Sequence, residues 1–302
     1  RAAVAKAFEK EAGCRFGEVS PDGKIGLFAT SCIGMNDQEP AAIIAGVIFT
    51  SLTELKAEAI VRGLRAGKSV RDLVESYGDG ANQSDLVRAM VSNNIRKRGP
   101  VLFGPFESGS AVKKIAAMTP DDVIAEIKKA NLLGRGGAGF PTGLKGEFCR
   151  KEAAADRYVV CNADEGEPGT FKDRVILTEL PRLLFEGMAV AGYAIGAKLG
   201  VLYLRGEYAY LKPHLESVLT ELRAQAVLGK AIAGKQGFDF DIEVKLGAGA
   251  YICGEESALL ESAEGKRGEP RDRPPFPVQL GYLNQPTAVN NVETLATAAQ
   301  II

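Results

Sequence analysis

Apolar positions along the chain change their period several times, and each change predicts an element. The opening stretch to Glu11 is Ala-rich and helical in pattern. Short runs at 16–18 and 24–29 then flank Ser20-Pro21-Asp22-Gly23, whose proline, aspartate and glycine are turn chemistry, so a β-hairpin is expected. After the polar loop Asn36-Asp37-Gln38-Glu39-Pro40 comes an apolar run over 41–49, rich in β-branched residues. Thr53 stands where it can cap a helix to about Arg65. From Gly78 to about Gly109 the pattern turns polar and is punctuated by Gly and Pro, as in a linker. A second unit opens at Thr119-Pro120-Asp121-Asp122, with Thr at the N-cap, Pro at the first helical position and acids in the first turn. Val123, Ile124 and Ile127 follow at helical spacing. Strands are predicted at 158–161, 201–204 and 238–246, between helices at 142–153, 181–198 and 208–224. Alternation of this kind argues an α/β fold, divided into a front unit (1–77), a linker (78–118) and a larger domain (119–302).

Composition narrows the partners. With 302 residues, 46% hydrophobic, the chain can bury two ordinary cores. Lys+Arg 37 against Asp+Glu 38 leaves a formal net charge of -1, which points away from nucleic acid. The longest apolar stretch, 183–199, is interrupted by Glu186, Gly187, Gly192 and Lys198 and falls short of the ~20 apolar residues of a membrane span, so no membrane insertion is expected. No signal peptide is visible, and a cytoplasmic location is expected. Both ends fall inside helical pattern, so the chain reads as a fragment. The five cysteines, Cys14, Cys32, Cys149, Cys161 and Cys253, include no pair at the close spacing that closed zinc sites and four-thiolate clusters use. No metal ligands are assigned, and idle thiols are expected.

Candidate chemistry sits in three glycine-bearing segments. Gly134-Arg135-Gly136-Gly137-Ala138-Gly139 fits G-x-G-x-x-G, in which glycines let the backbone approach a phosphate or a flat ring. A helix precedes it rather than a strand, which disfavours an ordinary dinucleotide fingerprint. Asn162-Ala163-Asp164-Glu165-Gly166-Glu167 follows a predicted strand, where α/β proteins gather ligands, and its acids suit hydroxyl or amide partners. Gly247-Ala248-Gly249-Ala250-Tyr251-Ile252-Cys253-Gly254-Glu255-Glu256 again sets small residues at a strand end, before paired carboxylates at a helix start.

Residues 133–143, 161–173 and 247–256, with Val289-Asn290-Asn291-Val292-Glu293-Thr294, resemble four signature blocks of the NADH-binding flavoprotein family. This family includes the flavin subunit of respiratory complex I, the diaphorase subunit of NAD-reducing hydrogenases and related formate dehydrogenase subunits. The resemblance runs from about Asp121 to Ile302. It implies an FMN site lined by Gly134, Arg135, Gly136, Gly137, Lys145, Asn162, Asp164, Glu165, Tyr251, Gly254, Glu255, Asn290, Asn291 and Thr294. It also implies that Phe140, Phe148, Glu167, Glu256 and Phe276 meet NAD(H), the aromatics stacking on ring faces, with Arg273 a further charge. Hydride transfer between two stacked rings needs geometry and no acid-base residue at the reacting atoms, so no catalytic residue is assigned.

Two departures from the family pattern stand out. Gly146 occupies the place of a family Trp, which predicts a gap beside the cofactor and a looser helix. The family's next domain, with its [4Fe-4S] cluster, is expected only beyond this chain. In the front unit, residues 30–40 resemble the thioredoxin-like [2Fe-2S] partner of the flavoprotein, with Cys32 at one ligand position and Asn36 at another. Cys14 and Cys32 cannot make a four-ligand site, so no cluster is expected there. A thioredoxin-like unit fused ahead of the flavin domain is similar to the large diaphorase subunit of bacterial NAD-reducing hydrogenases. The resemblance therefore implies an NAD(H):acceptor oxidoreductase that feeds iron-sulfur and hydrogenase subunits. A flavin subunit of formate dehydrogenase or complex I, and a non-catalytic assembly scaffold, are the alternatives.

Overall fold

The computed structural model describes residues 1–74, 87, 90, 91, 93, 95 and 97–302, so the first part of the stretch read as a linker lies largely outside the described residues. Two compact units emerge, Arg1–Ile95 with Pro168–Phe171, and Arg96–Glu167 with Lys172–Ile302.

In the front unit, helix α1 (Ala2–Ala12) ends on Gly13, which takes the left-handed conformation that a residue without Cβ adopts freely. Strands β1 (Glu18–Val19) and β2 (Gly26–Leu27) pair antiparallel across the expected turn, with Ser20 Oγ donating to Asp22. The apolar run after Pro40 is two strands rather than one. β3 (Ala42–Ile44) and β4 (Val47–Phe49) fold back through Ala45-Gly46, both at positive φ (45° and 81°), the signature of a tight two-residue hairpin turn. Helix α2 (Glu54–Arg65) starts where Thr53 accepts from the Lys56 amide.

The larger unit is built on four parallel strands in the order β7-β6-β5-β8, with β5 at Tyr158–Ala163, β6 at Leu199–Leu204, β7 at Asp241–Leu246 and β8 at Thr287–Asn291. The fold is α/β. Because β6 and β8 lie on opposite sides of β5, the chain order reverses at β5, and the crevice at the carboxyl ends of such strands is where α/β sheets bind ligands.

Helix α3 (Ser110–Ala116) falls inside the stretch assigned to the linker. Its N-terminal amides are satisfied from afar: buried Glu186 accepts from the backbone of Gly109 and of Ala111 (3.2 Å). Helix α4 (Pro120–Lys129) carries the full capping box, Thr119 and Asp122 each bonding the other's backbone amide. Helix α5 (Thr142–Lys151) packs tightly on α4, since a Cβ on Gly143 would lie 2.9 Å from the Lys128 backbone nitrogen. α6 is Lys172–Glu179, and α7 (Pro181–Ile195) stops at left-handed Gly196 before the predicted end. α8 (Lys212–Ala224), α9 (Glu256–Ala263) and α10 (Val292–Ile301) complete the layers.

A Cβ on Gly146 would have Ile195 Cγ2 at 3.9 Å as its neighbour, so this position of α5 faces the end of α7. The fit is loose enough for a methyl group. Gly146→Ala is therefore expected to raise stability by roughly 0.5–1 kcal/mol through helix propensity, read as a higher urea midpoint. A lower midpoint would show that the helix needs its glycine. No described helix is long and apolar enough to cross a membrane.

Candidate functional site

The glycine-rich segment becomes a closed loop for local reasons. Leu133 and Pro141 pair as an isolated bridge, Gly134 N–H donates to Phe140 O (2.9 Å), and Thr142 N–H donates to Leu132 O (2.8 Å). Between these pins the backbone stands out, with Gly137 and Gly139 at positive φ (126° and 66°) and open space where their side chains would be. The loop is seated on the start of α10: Arg135 N–H donates to Thr294 Oγ1 (2.9 Å), and a Cβ on Gly136 would meet the Asn291 Cβ at 3.4 Å.

Across the crevice, the ends of β5 and β8 run in register, Cys161 with Asn290 and Asn162 with Asn291. Asn162 turns its amide to Gly254 O (2.9 Å) and accepts from the Asp164 backbone amide (3.1 Å), which ties β5 to the Gly247–Glu256 segment. From α5, Lys145 donates to Val289 O (2.8 Å) and lies 3.7 Å from Glu256. Arg273 pairs with both Glu255 (3.1 Å) and Glu256 (3.2 Å). Glu255 also caps α9, accepting from the amides of Ser257 and Ala258, each at 3.0 Å. Glu167 accepts from the Tyr251 hydroxyl (2.6 Å), and Gly166 packs against that ring, where a Cβ would come within 3.2 Å of it.

Most of the expected site residues thus converge on one crevice. Two behave differently from a simple lining. Glu165 is buried, and its carboxylate is consumed by the protein: it accepts from the amides of Asp173 (2.8 Å) and Arg174 (3.2 Å) and from the Tyr208 hydroxyl (2.8 Å). Asn291 caps α10 through the Glu293 amide (3.1 Å) and has its own amide group bound on both sides. Phe140, Phe148 and Phe276 stand on three separate segments, 41%, 43% and 50% exposed, and among the described residues no ring pairing joins their side chains to another aromatic. Sequence reasoning assigned no role to Lys172, Asp173, Arg205, Tyr208 or Glu293. Lys172, Asp173 and Glu293 lie inside the segments that resemble the family's signature blocks, and that was the available signal.

Asp164 is the electrostatic anomaly. Its Oδ2 is buried without a hydrogen-bond partner among the described residues, and desolvation pushes its pKa up to about 6, with Arg205 pulling the other way. A folded-state pKa above the unfolded one means stability that is present below pH 4 and lost as pH rises through about 6. Asp164→Asn is therefore expected to raise stability at pH 7 by about 2 kcal/mol and to flatten the pH 4–7 dependence relative to the parent chain. Urea unfolding of both at several pH values checks this; parallel curves would refute it.

In the front unit, Cys14 is buried with its thiol toward Ile25 O (3.9 Å), and Cys32 donates to Asn36 Oδ1 (3.0 Å). None of the five cysteines forms a disulfide among the described residues, and among these residues no group of three or more His, Cys, Asp or Glu side chains is placed to hold a metal. This arrangement does not fit a four-ligand cluster.

The chain matches the family described as the Nuo51 FMN-binding domain over residues 127–300, and residues 1–65 match the thioredoxin-like [2Fe-2S] ferredoxin family. It is 53% identical over 301 residues to the NAD-reducing hydrogenase HoxS subunit alpha of Cupriavidus necator, covering 99% of this chain and 50% of that protein. It is 52% identical over 192 residues to a subunit of the NADH-quinone oxidoreductase of Aquifex aeolicus, covering 64% of this chain and 45% of the relative. The crystal structure of an NAD+-reducing [NiFe]-hydrogenase in the H2-reduced state superposes with a TM-score of 0.86 at 42% identity, over 99% of this chain and 49% of that one. The chain spans about half the length of these relatives. Matched over more than half its length, through each of the segments that close on the crevice, the chain belongs to the Nuo51 FMN-binding domain family.

Proposed function

We propose that this chain holds FMN in the crevice at the ends of β5 and β8 and passes a hydride between NAD(H) and that flavin, as the NAD(H)-facing part of an NAD-reducing hydrogenase diaphorase. The crevice fits the group on its own chemistry. The backbone is bare at Gly137 and Gly139, open to a phosphate or flat ring, and Asp164 offers a buried oxygen that no described protein group satisfies. That orphaned carboxylate is the observation that carries the reading, because such a cost persists where a ligand hydroxyl or amide repays it.

When bound, the flavin supplies the two-electron centre that can release electrons singly. The protein's part is binding and orientation. Amides of the glycine loop and Lys145 hold the anionic end, Asn162 and Asp164 meet polar edges, and exposed Phe140, Phe148 and Phe276 offer faces for stacking. Glu167 and Glu256 would repel a 2′-phosphate brought beside them, which favours NAD over NADP. The [4Fe-4S] cluster is assigned to the part of the protein beyond this chain, and no electron step is routed through the front unit. Residues 1–77, 78–118 and 119–302 are taken as thioredoxin-like unit, linker and flavin domain, in a cytoplasmic complex with iron-sulfur and hydrogenase subunits.

Titrating the chain with FMN is expected to quench flavin fluorescence at one equivalent, and the loaded protein should reduce a dye with NADH faster than with NADPH. A chain that binds no flavin would leave the scaffold reading. Co-purification with a molybdenum enzyme instead of a nickel-iron subunit would move the assignment to a formate dehydrogenase.

A further inference from the structure

Behind the crevice lies an ion pair that the hydride chemistry does not use. Asp173, 2% exposed at the start of α6, accepts from Lys172 Nζ on one oxygen (2.6 Å) and from Asn291 Nδ2 on the other (2.6 Å). Lys172 Nζ also donates to Asn291 Oδ1 (2.8 Å) and pairs with Glu293 (3.1 Å). The two residues therefore grip both ends of one side-chain amide. With a carboxylate on its nitrogen and an ammonium on its oxygen, Asn291 has a single allowed orientation. In that orientation its oxygen receives the Glu293 amide and caps α10. One turn into the same helix, Thr294 holds the Arg135 amide, and Glu293 lies 3.7 Å from the Arg135 guanidinium. The seat of the glycine loop is thus the first turn of α10, and the orientation of that turn's cap is dictated from α6.

We propose that Asp173 and Lys172 are positioning residues that orient Asn291 and Glu293 and thereby hold the 134–139 loop in the form that receives FMN. The inference rests on the flavin reading for its ligand and on this chain alone for its geometry. Burial pulls the Lys172 ammonium down, yet the adjacent Asp173 and Glu293 carboxylates hold it above its ordinary range, so the cation persists at neutral pH. The backbone N–H groups of Asp173 and Arg174 donate hydrogen bonds to the Glu165 carboxylate and so fix the start of α6.

The test uses the whole chain with Asp173→Asn, Lys172→Met and Lys172→Arg, measured two ways. Without flavin, hydrogen exchange of peptides covering 132–141 and 287–294 is compared with that of the sheet peptides 158–163 and 199–204. With flavin, FMN affinity is titrated by fluorescence. Asp173→Asn and Lys172→Met are expected to speed exchange in 132–141 and 287–294 alone and to weaken FMN about tenfold, the lower end of the range for losing a partner behind a contact. Lys172→Arg, which keeps the cation, is expected to stay within about twofold of the parent in both readouts. If Asp173→Asn does not fold, the Lys172 pair decides, at a side chain that is 40% exposed. Unchanged loop exchange, or exchange raised equally across the sheet, would overturn the proposal. A parent chain that binds no FMN but shows the expected exchange pattern would overturn the flavin reading and leave the positioning role standing.

Discussion

Gly187→Ala is expected to lower the stability of the larger unit by about 3 kcal/mol or to prevent its folding, because the added methyl group meets backbone rather than side chain. An ideal Cβ at this position would overlap Leu295 O outright and lie 2.5 Å from its carbonyl carbon. No rotamer change relieves such a contact, so α7 and α10 must separate. Two opposing effects can be compared by size. Alanine gains about 1 kcal/mol of helix propensity over glycine, whereas opening a packed helix pair costs more than that and exposes a core that is almost wholly apolar. α7 is buried along nearly its whole length, from Pro181 to Ile195. The displacement also has a functional reach, since α10 carries Thr294 and is capped by Asn291. Thermal and urea unfolding would show the loss directly; a variant within about 1 kcal/mol of the parent would mean that the helices part easily.

Glu165→Ala is expected to cost about 3–5 kcal/mol, because it strands three buried donors at once. The residue is 6% exposed, and its carboxylate receives two amides at the start of α6 and the Tyr208 hydroxyl, while Arg205 donates to the Glu165 carbonyl oxygen. Burial raises the Glu165 carboxyl above its ordinary range, the nearby Asp173 charge adds to that, and the donated hydrogen bonds oppose it. Glu165→Gln keeps the volume but turns an NH2 group toward backbone N–H donors, so it should recover only part of the loss. A full recovery by Gln would show that packing, and not the donors, sets the cost.

Local signals explain what the sequence disclosed about the fold. Thr53 and Thr119 were legible as helix starts because each cap bonds an amide three residues away. α6 was not legible for the opposite reason: the acceptor for the amides of Asp173 and Arg174 at its N-terminus is Glu165, which reaches them from the preceding loop. β8 escaped because Thr287–Asn291 is short and ends in two polar residues, and its strand character comes from pairing with β5. Gly187 and Gly192 read as interruptions of an apolar run, whereas they are the places where α7 approaches Leu295 and Phe240. The crevice followed the same rule. Its glycines and the acids at strand ends lie in the segments that carry the resemblance, whereas the bonds of Lys172 and Asp173 depend on Asn291, 119 and 118 residues further along. A remote partner leaves no local trace.

The position of β8 also sets the order in which the protein can assemble during synthesis. Strand β5 leaves the ribosome before β8, so its edge waits for that strand, and Asn162 meets Asn291 only after 129 further residues have been made. Until then one side of β5 offers unpaired amides and carbonyls to any passing strand, and the glycine loop lacks the helix that seats it. Nascent chains stalled before residue 287 should therefore engage chaperones and ignore FMN, and a flavin-competent crevice should appear only once α10 has emerged.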